Sequence, residues 1–192
     1  MKFLLLALIT LAEAFPYPNT RLDQPHSISY LAQKADVGRC DDGWAYYSET
    51  DACYKNFLRE TFGDAERKCV AFGGHLASIH SERENSIVIE MAESGIRLTT
   101  TFSATWIGLV RSDYMNFSKS TTSNWTWTDG TEVDFLAWAP GEPTNYQGQG
   151  RCTMLYADPF EDDARTLHYQ KWGDTKCSYN ERSYVCKKKA LH

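Results

Sequence analysis

Six cysteines, Cys40, Cys53, Cys69, Cys152, Cys177 and Cys186, constrain this chain more tightly than any other feature. Their number is even, and the chain opens with the marks of export. Lys2 precedes a short apolar run, and Ala12-Glu13-Ala14 supplies a small-x-small cleavage pattern. The run is about half of what a bilayer crossing needs, and no later stretch approaches ~18 consecutive apolar residues. Residues 1–14 therefore read as a signal peptide, and the exported, soluble protein is expected to start near Phe15. An even cysteine count behind such a signal predicts three disulfides formed in an oxidising compartment, with the pairing left open by spacing alone. No Cys-x-x-Cys pair or Cys/His cluster offers a zinc site. With all six paired, no thiol remains to act as a nucleophile.

The formal charge is −5, and removing the signal takes away one residue of each sign. Acidic residues are spread along the chain, which argues against nucleic acid or an anionic membrane surface as the partner. Lys187-Lys188-Lys189 is the only basic run, and it reads as a solvated tail past the last cysteine. Six tryptophans in a chain of single-domain size point to one well-packed aromatic core.

Residues 15–38 carry Pro16, Pro18 and Pro25 without a sustained period, and read as a flexible N-terminal extension. Trp44–Tyr47 and Ala52–Phe57 predict a hairpin closed by Cys40 and Cys53. Thr61 three residues before Asp64, with Ala65, Cys69 and Phe72 at helical spacing, predicts a first helix ended by Gly73-Gly74. A strand over His75–Ile79 follows, then a capping box from Ser81 to Glu84. A second helix bears the stripe Ile87, Val88, Met91 and Ala92, and stops at Gly95. Trp106–Val110 suits a buried strand, and Trp125-Thr126-Trp127-Thr128 a strand turning at Asp129-Gly130. Leu155-Tyr156 and Ser183–Cys186 are further strands. Between about 135 and 172 lies a long stretch rich in Gly, Pro and polar residues, and loops of that length in small domains are usually functional.

Asn116-Phe117-Ser118 and Asn124-Trp125-Thr126 are glycosylation sequons, Asn116 the better placed because Asn124 abuts a core strand. His26, His75, His80, His168 and His192 are scattered, and no nucleophile elbow, His-Glu-x-x-His helix or phosphate loop accompanies them. The chain is not expected to be an enzyme.

Read together, these residues closely resemble the C-type lectin-like domain. The resemblance is carried by Cys69, His75-Leu76-Ala77-Ser78-Ile79 with Glu84, Trp106-Ile107-Gly108-Leu109, Trp125-x-Trp127-x-Asp129-Gly130, Trp138-Ala139-Pro140-Gly141-Glu142-Pro143, Trp172-Gly173-Asp174 and Tyr184-x-Cys186. It implies an α+β fold over residues 39–188, with two helices packed on small antiparallel sheets, a long irregular ligand-binding loop region, and a tail at 189–192. It also implies the pairs Cys69–Cys186 and Cys152–Cys177, with Cys40–Cys53 as the extra bridge of the long form. A Cys69–Cys186 bridge would contribute about 4–5 kcal/mol in the loop-entropy model.

In sugar-binding members of that family, one Ca²⁺ bridges the protein and two sugar hydroxyls. Its ligands come from Glu-Pro-Asn, a Glu two residues before a cysteine, and Trp-Asn-Asp. Here Glu142, Pro143 and Asp174 match, while Thr144, Gly150 and Gly173 stand at the other positions. The resemblance makes Glu142, Thr144, Asn145 and Asp174 the candidate ligand-binding residues, with Glu142, Asn145 and Asp174 the candidate metal ligands. Gln147 and Gln149 are possible substitutes, and Glu142–Pro143 is expected to be cis. Two carboxylates rather than three predict weak or absent calcium binding. Asp158, Glu161, Asp162 and Asp163 read as a solvated acidic loop, the alternative being an auxiliary calcium site.

The resemblance implies a secreted, extracellular carbohydrate-recognition protein whose partner is a glycan or glycoprotein, with Tyr146 or Tyr169 placed to stack on a sugar. Many secreted relatives suggest a role in defence. The alternative is a calcium-independent module that binds a protein or another surface. No nucleic acid and no membrane insertion are expected. With no heptad stalk and no spare cysteine, the chain reads as a monomer.

Overall fold

In the computed structural model, residues 39–113 and 125–192 are described. The stretches expected to be a signal peptide and an N-terminal extension, and both sequon asparagines, lie outside them. Among the described residues, no helix is long and apolar enough to cross a membrane. Arg39 and Leu191 exchange backbone hydrogen bonds of 2.7 and 2.9 Å, so the two ends of the described chain meet in one bridge.

The predicted hairpin forms from β1 (Ala45–Tyr47) and β2 (Ala52–Glu60), and Cys40–Cys53 closes it. Helix α1 (Phe62–Ala71) starts at Thr61, whose hydroxyl accepts from the Asp64 N–H, and ends at Gly73 with φ +83°. Phe62, Ala65 and Cys69 face the core. Phe72 does not: it is 46% exposed and stacks on Phe57, 5.1 Å between ring centroids. Strand β3 is only His75–Leu76. Beyond it, Ala77 bonds Val185 on one side and Gly108 on the other, leaving the regular ladder earlier than the apolar run predicts. Helix α2 (Glu82–Ala92) carries the predicted stripe and also buries Ile89.

The strands β4 (Thr105–Arg111), β5 (Trp125–Trp127), β6 (Cys152–Leu155), β7 (Trp172–Thr175) and β8 (Glu181–Lys189) complete the fold. The α+β reading holds, but the strands share one hydrogen-bonded sheet, ordered β1-β2-β8-β4-β6-β7, with β3 on β8 and β5 on β4. Its antiparallel ladders are joined by a short parallel pairing of β4 with β8 at Thr105↔Ser183 and Trp106↔Tyr184. Two apolar clusters fill the interior: one holds Ile87, Trp127 and Trp172 around α2, the other Phe62, Trp106 and Tyr156 around α1. All three predicted disulfide pairs form, and no described cysteine is free.

Three sequence readings need correction. Lys187–Lys189 are not a solvated tail; they belong to β8, paired with Ala52–Tyr54 of β2. Lys187 donates to Glu84 at 2.5 Å and to Ser78, while Lys188 pairs with Asp41 and lies over the Trp44 ring at 4.3 Å. Strand pairing past Cys186 draws the Lys187 and Lys188 side chains onto the protein, where long aliphatic stems pack while their charges find partners, and Lys189 stays exposed. Asp158 is not solvated either. It is fully buried, accepts from the Ser94 and Gly95 N–H groups at 2.9 Å, and pairs with Arg182 at 2.6 Å. Its neighbours Glu161, Asp162 and Asp163 are exposed, as expected. Third, Ser81 caps α2 as predicted, but Glu84 reaches His80 N–H at 2.8 Å rather than completing the box at Ser81. The other Glu84 oxygen takes the Tyr54 hydroxyl at 2.6 Å and Lys187.

The Glu84–Lys187 pair predicts a specific cost. Lys187→Met leaves a buried carboxylate without its cation, so urea unfolding of the oxidised protein should show a loss of about 3 kcal/mol or more. The double variant Lys187→Met/Glu84→Gln should recover part of it. A loss below about 1 kcal/mol would contradict the role assigned to the pair.

Glu181, fully buried at the start of β8, supplies a pH dependence. Burial pushes its carboxyl up to about 7, against the N–H of Ala104 at 2.9 Å and the charge of Arg182, which both favour the ionised form. The folded state therefore binds this proton more tightly than the unfolded chain. Glu181's contribution is full below the ordinary carboxyl range and is lost as pH rises toward 7. Melting temperatures of Glu181→Gln should fall less than those of the native protein between about pH 5 and pH 8; parallel curves would refute this.

Candidate functional site

The long second-half stretch is anchored before it becomes a loop. Trp172 N–H donates to Ala137 and Ala139 N–H donates to Trp172, both at 2.8 Å, so the chain at Trp138 runs beside β7. The rings of Trp125 and Trp172 flank Trp138 at 4.9 and 6.1 Å. Gly141 then turns the chain with φ +84°, and Glu142–Pro143 is cis, as the resemblance implies. Asn145, Gln147 and Gly148 all take left-handed φ, at +46°, +53° and +67°. Gly148 adopts this without cost and Asn tolerates it, while Gln147 does so less readily. The Gly148 N–H closes the turn onto Asn145 O at 2.8 Å.

Strand β7 brings Asp174 against this loop, and pairing with Thr153 fixes its position. Asp174 is 6% exposed. Its Oδ1 accepts from the Thr144 N–H at 2.6 Å and the Thr144 hydroxyl at 3.0 Å; its Oδ2 accepts from the Asn145 N–H at 2.8 Å. Glu142 Oε2 receives the Thr144 N–H at 3.2 Å and the Asp174 N–H at 3.3 Å. Burial, reinforced by a hydrogen bond with Asp174 and its charge, pushes the Glu142 carboxyl up to about 7. Glu142 Oε2 and Asp174 Oδ1 share the Thr144 N–H, so the two carboxyl groups meet at short range.

The structure brings Glu142, Thr144, Asn145 and Asp174 together, but not as the sequence arranges them. The Thr144 hydroxyl is a donor to Asp174 instead of an open oxygen. Asn145 meets Asp174 through its backbone N–H, and its residue is exposed. Gln147 and Gln149 are exposed and bonded to neither carboxylate. Tyr169 is half-buried beyond the turn Asp163–His168 and is not a partner of the cluster.

Calcium takes six to eight hard oxygens at ~2.3–2.6 Å. Here both Asp174 oxygens are turned to N–H and O–H donors, and among the described residues Glu142 is the other carboxylate of the cluster. A Cβ at Gly150 would lie 1.8 Å from Asp174 Oδ2, and one at Gly173 would lie 2.5 Å from the Tyr156 hydroxyl. The places from which further side chains would reach are filled. As arranged, these residues do not fit a calcium ion, and among the described residues no group of three His, Cys, Asp or Glu is set to hold a metal. Tyr156 is the participant that sequence reading assigned only to a strand. Its signal was Gly173, since a glycine between Trp172 and Asp174 leaves room for a buried ring next door.

Gly173→Asn should therefore lower the melting temperature, because the new side chain and Tyr156 compete for one space. Adding Tyr156→Phe should return part of the loss, since it removes the nearest atom. Equal melting of Gly173→Asn and native protein would show the space to be free.

Comparison with known proteins places this arrangement. The Lectin C-type domain model matches residues 58–188. An alpha-N-acetylgalactosamine-specific lectin of Patiria pectinifera is 36% identical over 149 residues, 75% of this chain and 77% of that protein. Ladderlectin of Oncorhynchus mykiss is 31% identical over 150 residues, 78% of this chain and 68% of that one. Among solved structures, a calcium-independent type II antifreeze protein superposes with a TM-score of 0.60 at 26% identity, covering 82% of this chain and 99% of that one. With its helices, its bridges and its long loop in these places, the chain belongs to the C-type lectin family.

Proposed function

We propose that this protein is a secreted carbohydrate-recognition lectin that engages its glycan through the loop from Glu142 to Gly148, with calcium contributing weakly or not at all. The observation that carries the reading is the loop itself. It keeps the cis Glu142–Pro143 bond and presents Thr144 and Asn145 to solvent beside a half-buried carboxyl. Hydroxyl, amide and carboxyl groups on a preformed loop suit the hydroxyls of a sugar, which both donate and accept. The similarity to a lectin specific for α-N-acetylgalactosamine supports a glycan as the ligand class. A lone site of this kind binds weakly, so an array that presents many copies is the suitable format.

A second reading has its own support. The likeness to a calcium-independent antifreeze protein supports a use of this fold other than sugar binding, and the same loop face would then meet a protein or another surface.

On a glycan array, native protein should give saturable signal on a subset of glycans, unchanged by chelator, and Glu142→Ala should lose it. Identical native and Glu142→Ala signals would remove the glycan reading at this loop. A blank array for well-folded native protein would favour the second.

A further inference from the structure

We infer that the Asp174 carboxylate holds the Glu142–Gly148 loop in place of a cation, and that Gly150 is the residue that allows it to. The inference goes beyond the proposed glycan reading and rests on it only for the loop being the ligand face. The geometry is that of a clamp. Each Asp174 oxygen is assigned: Oδ1 to the Thr144 N–H and hydroxyl, Oδ2 to the Asn145 N–H. Two successive backbone N–H groups converge on one carboxylate, which is how irregular backbone captures an anion. A calcium ion would draw the same loop together by collecting oxygens. Here the polarity is reversed: the loop supplies donors and β7 supplies the anion.

Gly150 completes the argument. Its missing Cβ would lie 1.8 Å from Asp174 Oδ2 and 3.0 Å from the Asn145 Cα. Any side chain at 150 must displace the carboxylate or push the loop away at Asn145. A carboxylate contributed from position 150 and the Asp174 clamp are therefore mutually exclusive. The glycine is the condition for a loop that holds its shape without metal. Asp174 is a positioning residue in this role, acting on Thr144 and Asn145 rather than on the ligand.

The test is amide hydrogen exchange at Thr144 and Asn145 in the full oxidised protein, in millimolar calcium and in chelator. Native protein should exchange both amides at the same slow rate in the two buffers. Asp174→Asn puts an NH₂ where one donor points, so both amides should exchange roughly ten-fold faster or more, as loss of a charge-assisted hydrogen bond implies. Amides of α1 and β2 should stay unchanged, and calcium should not restore protection. Thr144→Val, which keeps the backbone N–H, should produce a smaller rise and serves if Asp174→Asn folds poorly. Gly150→Glu should loosen the same two amides and show no heat on calcium titration. Slower exchange of native Thr144 and Asn145 in calcium would overturn the inference. So would unchanged exchange in Asp174→Asn, or calcium heat with a tightened loop in Gly150→Glu. None of these readouts uses a glycan, so the clamp can fail while the lectin reading stands, and the reverse.

Discussion

The bridge between Cys69 and Cys186 is the constraint on which the rest of this structure depends. It spans 117 residues of sequence and fastens α1 to β8. Strand β8 is itself the hub, paired with β2, β3 and β4. Closing so long a loop removes about 4–5 kcal/mol of unfolded-chain entropy in the loop-entropy model, a large share of an ordinary domain's net stability. Its physical importance lies in what the hub permits. With β8 tied to the first helix, the second half of the chain can spend its length on loops and short strands and still have a rigid edge to lean on. Cys152–Cys177 repeats the device locally, fastening the start of β6 to the segment beyond β7.

A chain with this much irregular backbone has to satisfy many N–H groups outside helices and ladders, and it does so with buried carboxylates. Glu66 accepts from Leu76, Glu84 from His80, Asp158 from Ser94 and Gly95, Glu181 from Ala104, and Asp174 from Thr144 and Asn145. Glu84, Asp158 and Glu181 stand near the ends of regular elements, while Glu66 reaches out from α1 and Asp174 from β7. Charge-assisted hydrogen bonds are stronger than neutral ones, which offsets part of the cost of taking a carboxylate out of water, although at Glu181 burial still outweighs them. Glu84 and Asp158 add a cation, Lys187 and Arg182, so that the buried charge is paired as well as bonded. Asp174 lacks such a cation among its hydrogen-bond partners, and those partners, Thr144 and Asn145, belong to the irregular loop after the cis bond.

That pattern changes how the site is to be understood. In this chain the Asp174 carboxylate is one more acceptor for backbone N–H groups outside regular structure. The space around this carboxylate is set by a glycine at 150, a glycine at 173 and the Asp174 and Tyr156 groups that fill it.

The fold was legible from the sequence to an unusual depth. Helix caps at Thr61 and Ser81 and the buried run Trp106–Val110 are local signals with local causes. Each survives in the structure because the hydrophobic period and cap chemistry do not depend on what lies far along the chain. Glu142 and Asp174 were legible as a pair through their motifs. Other features required the tertiary structure. Lys187 looks like a tail residue until β8 pairs with β2, and Asp158 looks solvated until α2 ends beside it. Gly150 and Gly173 read as losses until Asp174 and Tyr156 are seen occupying the space they vacate. By itself the sequence determined which elements form and which cysteines are there to join them, because those follow from neighbours in the chain. Only the tertiary structure decided which carboxylates meet N–H groups and which meet cations, because most of those partners lie tens of residues away and are chosen by packing.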